Sequence, residues 1–432
     1  FSLPYLLSYF LQTLYGMADL FITGRYEGVA GTTAVAVGSQ VMHMLTVMIV
    51  GLAMGTTVSV ARAIGAGDRP RAAAATGNTV TLFLSLSLVL TAGLLLLRRP
   101  ITAVMSTPEA AVEGTVRYLT ICFLGIPCIT AYNILSAIFR GMGDSRSPMY
   151  FVGLACIVNI VLDYVFMGHL GMGPVGAAWG TVIAQTVSVV AALASIRFRD
   201  SQIRLRLVDF RPRASMLGSI LKVGTPVAVQ DGCIQVAFMF ITVIANGRGV
   251  VDAAAVGVVE KMISFMFIVP SSMGATVSAL TAQNAGAGKY ERARAVLHRA
   301  MTISICYGMA ITALVQLAAP ALLAIFSGDA AVITAGSQYI RSYIFDAIFA
   351  GIHICFSGYF AAYGKSYIGF AHNVASVALV RVPGAALLSS MFPATLFPMG
   401  LASPAGSILS AVICVVAFTV LNRRGAFDRL AA

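Results

Sequence analysis

Apolar runs of about twenty residues or more, broken by glycines, prolines and charges, recur along nearly the whole chain. A helix that crosses a hydrocarbon core of about 30 Å needs roughly 20 apolar residues. The windows predict twelve spans, at approximately 1–23, 33–60, 72–97, 117–139, 149–168, 175–198, 219–245, 253–281, 297–326, 337–362, 366–391 and 397–422. Strict alternation over ten-residue segments, the mark of a membrane β-barrel, is absent. Backbone polar groups in lipid must be satisfied within each segment, so the expected fold is an all-α, multi-pass membrane bundle. Composition agrees: 59% of residues are apolar, 10% are charged and mean hydropathy is +0.89, against roughly 25% charged in soluble domains. The chain opens directly on apolar Phe1, with no recognisable signal peptide.

A net charge of +12 would suit a nucleic-acid partner, but the distribution of the basic residues argues otherwise. Most lie in loops after even-numbered spans and in the C-terminal tail, above all in "RFRDSQIRLRLVDFRPR" (197–213), "GAGDRPR" (65–71) and "GKYERARAVLHR" (288–299). The opposite loops hold Arg25, Arg98, Arg99, Arg117 and Arg248. The positive-inside rule then places the even loops and both termini in the cytoplasm. The basic excess reports orientation and contact with anionic headgroups, with no nucleic acid required. The cysteines fall inside spans without CxxC pairing, as small apolar packing residues do.

The chain also repeats itself. "AVGSQVMHMLTVMIVGLAMGTTVS" (36–59) aligns without gaps on "AVGVVEKMISFMFIVPSSMGATVS" (255–278), and "GAGDRPRAAA" (65–74) matches "GAGKYERARA" (286–295) after a two-residue slip. Two parallel six-helix halves follow: an N-lobe at 1–198, a basic cytoplasmic linker at 199–218 and a C-lobe at 219–432. Duplicated halves of this kind build alternating-access transporters, with the substrate path between them.

Several motifs extend this reading. "GMADLFITGR" in span one, the "MGTTVSVARAIGAG" and "MGATVSALTAQNAGAGKYERAR" pair, "FRGMGDSRSP" (139–148) and "NIVLDYVFMGHLGMGPVGAAWGT" (159–181) together resemble the multidrug and toxic compound extrusion family, prokaryotic type. The resemblance runs over essentially the full length. It implies two six-helix lobes in a V and a cation-coupled antiporter that exports bulky, often cationic organic compounds. It also implies a multi-pass monomer in the cytoplasmic (inner) membrane of a prokaryote, a secondary transporter with no cofactor beyond its coupling ion, H+ or Na+.

Charges inside the spans are the candidate chemistry. An ionised carboxylate at helix centre costs about 2.5 to 3.5 kcal/mol on insertion scales, so each needs a partner, a cavity or a proton. Asp19 and Asp163 each lie about five residues below the outer end of an outward-running span, at Gly24 and Gly168, roughly 7 Å deep at 1.5 Å per residue. Asn159 is four residues before Asp163 and shares its helix face. Tyr118 and Thr181 have compatible depths, so Asp19, Tyr118, Asn159, Asp163 and Thr181 form the expected cation-coupling constellation. In relatives that this chain resembles, the matching positions line the proton or sodium site. Two carboxylates sharing a dry site resist simultaneous ionisation and can hold a proton. The same oxygens, with an amide carbonyl and hydroxyls, also suit a hard monovalent cation, and the alternatives stay open. A purely structural hydrogen bond, closing spans five and six near glycines 168, 171 and 173, is the competing reading of Asp163.

In the C-lobe, Asp231, Glu260, Lys261, Asp346 and Arg381 lie within spans. Glu260 and Lys261 point about 100° apart on a helix, which leaves Glu260 with Arg381, or Asp346 with Lys261, as expected structural pairs. The sodium-coupled branch of the family carries acids near "DGCIQVAF" (231–238) and "SGYFAAYGK" (357–365); here Gln235, Tyr359 and Phe360 stand nearby, which argues against a second sodium site. Gln12, Met17, Met42, Asn133, Phe265 and Met266 are candidates for a substrate cavity, since Met and aromatic side chains mould to varied ligands, although packing competes as an explanation for each. The histidines at 43, 169, 353 and 372 lack metal-site spacing, and "GAG" at 65–67 and 286–288 lacks the Lys-Ser/Thr of a P-loop. With no nucleotide motif, an ion gradient is the expected energy source. Two other readings compete: a flippase for a lipid-linked precursor, which needs a basic cavity, and a membrane enzyme, which needs a nucleophile, metal or haem motif.

Overall fold

The computed structural model describes residues 1–198 and 205–428, and every regular element among them is helical. Among the described residues, eight helices are individually long and apolar enough to cross a membrane, and three bent pairs bring the number to eleven. The first helix, α1 (Ser2–Tyr26), is 25 residues long and stands outside that number. It carries Ser, Thr, Tyr and Gln positions together with Asp19.

The chain packs as two compact units, Leu3–Gly224 and Thr225–Ala432. Unit 1 contains α1, α2 (Val29–Gly65), α3 (Arg69–Val104), α4 (Glu109–Leu124), α5 (Ile126–Gly141), α6 (Arg146–Asp163), α7 (Pro174–Phe198) and the first part of α8 (Ala214–Asn246). Unit 2 takes the rest of α8, then α9 (Val250–Met266), α10 (Ile268–Gly286), α11 (Tyr290–Ala324), α12 (Ala330–Tyr343) and α13 (Asp346–Ala362). It closes with α14 (Ser366–Ser376), α15 (Val382–Met391), α16 (Phe397–Gly400) and α17 (Ala402–Arg423).

Three windows that read as straight spans are bent: α4 against α5 by 51°, α9 against α10 by 41°, and α12 against α13 by 45°. Proline explains two of them. A proline lacks the N–H for the carbonyl four residues earlier and clashes with it. Pro127 acts on Phe123 and Pro270 on Met266, each at the end of the preceding helix. In the repeat, Pro270 stands where α2 has Gly51, and so α2 runs unbroken for 37 residues.

No proline accounts for the α12–α13 break. Here α11 supplies donors to carbonyls at the break: Thr312 Oγ1 donates at 3.2 Å to the Ile344 carbonyl, which also accepts from the Ala347 N–H at 2.9 Å, and Gln316 Nε2 donates to the Arg341 carbonyl at 2.7 Å. Unit 1 has the same device, with Thr91 Oγ1 of α3 donating to the Phe123 carbonyl at 3.1 Å. Thr91 and Thr312, like Phe123 and Ile344, are 221 residues apart, so the internal repeat extends to the hydrogen bonds that hold the bends.

Each unit has its own apolar core. In unit 1, Ile22, Val35, Leu119, Cys122, Phe123 and Ile126 pack together; in unit 2, Val256, Val259, Met262, Leu323, Ile340 and Tyr343 do so. All seven cysteines are free thiols. Of the basic stretch between the halves, residues 199–204 lie outside the described residues. The following segment docks on α3: Asn78 Nδ2 donates to the Asp209 carbonyl at 3.1 Å, and the Arg213 N–H donates to Asn78 Oδ1 at 2.7 Å.

Candidate cation site

Two helices of unit 1 bring carboxylates to one buried spot. Asp19 on α1 is buried, and Thr23, one turn on, donates to its backbone carbonyl at 2.7 Å while approaching Met167 Sδ at 3.6 Å. On α6, Asn159 and Asp163 are both fully buried, and Asn159 Nδ2 donates to Asp163 Oδ1 at 3.3 Å across one turn. The Asp19 and Asp163 carboxyls lie within hydrogen-bond reach of each other. Directly after Asp163 the helix widens into a π-helical turn, Tyr164–His169; such turns occur frequently at functional sites.

α7 closes the site with a glycine. A Cβ at Gly180 would stand 2.2 Å from Asp163 Oδ1 and 3.4 Å from Asn159 Nδ2, so only a residue without a side chain leaves the Asp163 carboxyl in this position. Three buried oxygens here, Asp19 Oδ1, Asn159 Oδ1 and Asp163 Oδ2, have no hydrogen-bond donor among the described residues. Unpaired buried acceptors are costly. An acceptor-only cluster of two carboxyls and one amide carbonyl suits a proton or a hard monovalent cation.

The other two expected members sit one partner away. Tyr118 is buried, but its hydroxyl pairs with Ser39 Oγ at 3.1 Å, and its ring fills the space at Gly38, where a Cβ would be 2.3 Å from Cδ1. Thr181 adjoins the hydroxyl of Tyr15, which is itself within electrostatic range of Asp19 and Asp163. Neither Tyr15 nor Gly180 was singled out from sequence. The signals were present: Tyr15 is four residues before Asp19 and hence on its face, and Gly180 immediately precedes Thr181.

The six cavity candidates do not share one environment. Gln12 and Asn133 line a narrow cleft in unit 1. Met42 belongs to the core of unit 1 and Met266 to that of unit 2. Met17 is exposed, and Phe265 is half-buried.

In unit 2 the charge pairing differs from both expected pairs. Arg381 bridges to Asp346 at 3.4 Å, while Glu260 accepts from Thr242 at 3.2 Å and Lys261 is exposed. The bend at 344–345 starts α13 at Asp346, and Arg381 ends a second π-helical turn, Val377–Arg381. These two irregularities bring the pair together. Asp231 is half-buried on α8.

Arg381 Nη2 also donates to Ser407 Oγ at 2.6 Å, and Ser407 pairs with His353 Nε2 at 3.2 Å. Arginine only donates, so Ser407 Oγ accepts from Arg381 and holds His353 Nε2 through its remaining hydrogen-bonding capacity. Ser357 donates to the His353 carbonyl at 2.9 Å and lies 2.9 Å from His372 Nε2. Its hydrogen being committed, His372 Nε2 is the donor there. Both histidines thus have hydrogen-bonding roles, and no group of three or more metal-ligating side chains exists among the described residues.

A duplicated bundle of spanning helices that buries carboxyls inside its first half has the architecture of a secondary transporter. The MatE family model matches the chain twice, at residues 4–165 and 226–387. The chain belongs to the MatE family, whose members are multidrug transporters and not enzymes. It is 26% identical over 394 residues to the probable multidrug resistance protein YpnP of Bacillus subtilis, covering 90% of this chain and 87% of that protein. It is 27% identical over 399 residues to the probable multidrug resistance protein NorM of Thermotoga maritima, covering 90% and 85%. Among solved structures, a MATE protein in complex with MaL6 superposes with a TM-score of 0.91 at 23% identity, over 99% of this chain and 95% of that one. An outward-facing multidrug resistance MATE transporter matches with a TM-score of 0.91 at 23% identity, over 98% and 95%.

Proposed function

We propose that the protein is a cation-coupled antiporter in which an inward gradient of H+ or Na+ drives export of organic, often cationic compounds by alternating access. Asp19, Asn159 and Asp163 form its coupling site. The observation that carries this is the cluster of three donorless oxygens from two helices, sealed by Gly180. The multidrug resistance and export proteins among its relatives support the substrate class. The basic loops support an orientation with both termini in the cytoplasm of a prokaryotic inner membrane.

The coupling mechanism follows from charge. Two carboxylates about 4 Å apart at an effective dielectric near 20 repel by about 4 kcal/mol, roughly three decades in a conformational equilibrium. A bound cation removes that repulsion and holds α1 against α6; its departure drives them apart. Helix movement then reshapes the substrate path, so drug and cation compete.

Transport in proteoliposomes with pH and sodium gradients imposed separately tests the proposal. One gradient is expected to drive drug movement, and Asp19→Asn is expected to abolish that drive. Full gradient-driven export by Asp19→Asn would remove the assignment. A flippase reading gains nothing from the geometry, because Arg381, one of the two internal cations it would rely on, is neutralised by Asp346.

A further inference from the structure

The "FRGMGDSRSP" motif ends α5 with Arg140, and its guanidinium lies over the Tyr5 ring of α1, 5.1 Å from the centroid. Such cation–π contacts strengthen when they are desolvated. Arg140 closes one end of a polar crevice between α1, α2 and α5 that is also lined by Tyr5, Gln12, Tyr132, Asn133 and Ser136. The Tyr132 hydroxyl is within reach of both Gln12 and Ser136, and Arg140 Nε is buried with no acceptor. The crevice holds about 20 Å³, above the roughly 10–15 Å³ that a water needs. From Gln12 to Asp19 is seven residues along one helix face, about 10 Å, and Tyr15 lies between them. The opposite end, at Arg140, adjoins the turn from α5 to α6.

We propose that this crevice is the cytoplasmic exit route of the coupling cation and that the Arg140–Tyr5 contact is its plug. The inference rests on Asp19 and Asp163 being the coupling site. A guanidinium held in a narrow polar passage is an electrostatic barrier to cations. While it lies over Tyr5 the passage is closed, and movement of α1 at the start of the chain separates the two and opens it. Neither residue touches the carboxyls, so the plug prevents futile leak without contributing to cation affinity.

The test is drug-free cation flux into proteoliposomes carrying the full chain, read by an internal pH dye and, in parallel, a sodium dye. Arg140→Gln and Tyr5→Leu are each expected to raise the leak several-fold over wild type, whereas Arg140→Lys and Tyr5→Phe, which keep charge and ring, stay tight. Adding Asp19→Asn to Arg140→Gln is expected to close the leak again. The proposal is overturned if Arg140→Gln or Tyr5→Leu, monodisperse and still binding drug, is as tight as wild type. It is also overturned if the Arg140→Gln leak survives Asp19→Asn. Gradient-driven export that survives Asp19→Asn alone would strike the coupling assignment instead, which keeps the two failures apart.

Discussion

Replacing Gly180 with alanine puts one methyl group into the cation site. Its carbon would lie 2.2 Å from Asp163 Oδ1 and 3.4 Å from Asn159 Nδ2, so about 1 Å of movement is needed to restore ordinary contact. The atom that must yield is the free end of a side chain, so the carboxyl rotates and the α7 backbone stays in place. The cost to the fold is therefore near the low end of the 1–3 kcal/mol usual for overpacking, offset by the roughly 0.5–1 kcal/mol that alanine gains over glycine inside a helix. The site fares worse. Turning Asp163 away breaks its bond to Asn159, and a hydrogen bond to a charged group is worth about 1.5–3 kcal/mol, roughly ten- to a hundredfold in cation affinity. Thermal unfolding of the detergent-solubilised protein should change little, while the cation concentration for half-maximal transport should rise by that factor. Gly16→Ala on α1, where a Cβ meets nothing within 4 Å, should leave both unchanged. An unaltered cation dependence in a well-folded Gly180→Ala protein would refute the packing argument.

Other outcomes follow from the same geometry. Asn159→Ala should weaken cation dependence of transport without abolishing drug binding, since it removes one oxygen and one donor from the site. Arg381→Met should destabilise unit 2 by about 3–5 kcal/mol by leaving Asp346 buried and unpaired, and the double variant Arg381→Met with Asp346→Leu should recover most of that loss in thermal unfolding. Thr312→Val should cost about 0.5–1.5 kcal/mol in thermal unfolding, because the Ile344 carbonyl at the α12–α13 bend loses one of its two donors and keeps the Ala347 N–H. Nitrogen chemical shifts of labelled histidine should show His372 protonated at Nε2; a His372 protonated only at Nδ1 would break the Ser357 hydrogen-bond assignment.

The spans were legible because lipid forces each segment to be long, apolar and internally bonded. Two of the three bends were legible in principle, since Pro127 and Pro270 mark them. The third was not, because Thr312 and Gln316, which stabilise it, are remote in sequence. Asn159 and Asp163 could be paired from spacing alone, and Asp19 from depth. Depth, however, is a single coordinate: Tyr118 shares it and yet turns its hydroxyl to Ser39, because rotation about a helix axis is set by packing. The same limit hid the partner of Asp346. Nothing local to Asp346 or Arg381 announces that a bend and a π-helical turn bring them together.

The most direct test of the coupling site is the affinity of the purified transporter for a cationic dye, followed as pH and sodium concentration are varied independently. The account predicts that dye affinity falls as one of the two cations occupies the site, and that Asp163→Asn binds dye with no dependence on that cation. An Asp163→Asn protein that retained the wild-type cation dependence would contradict it.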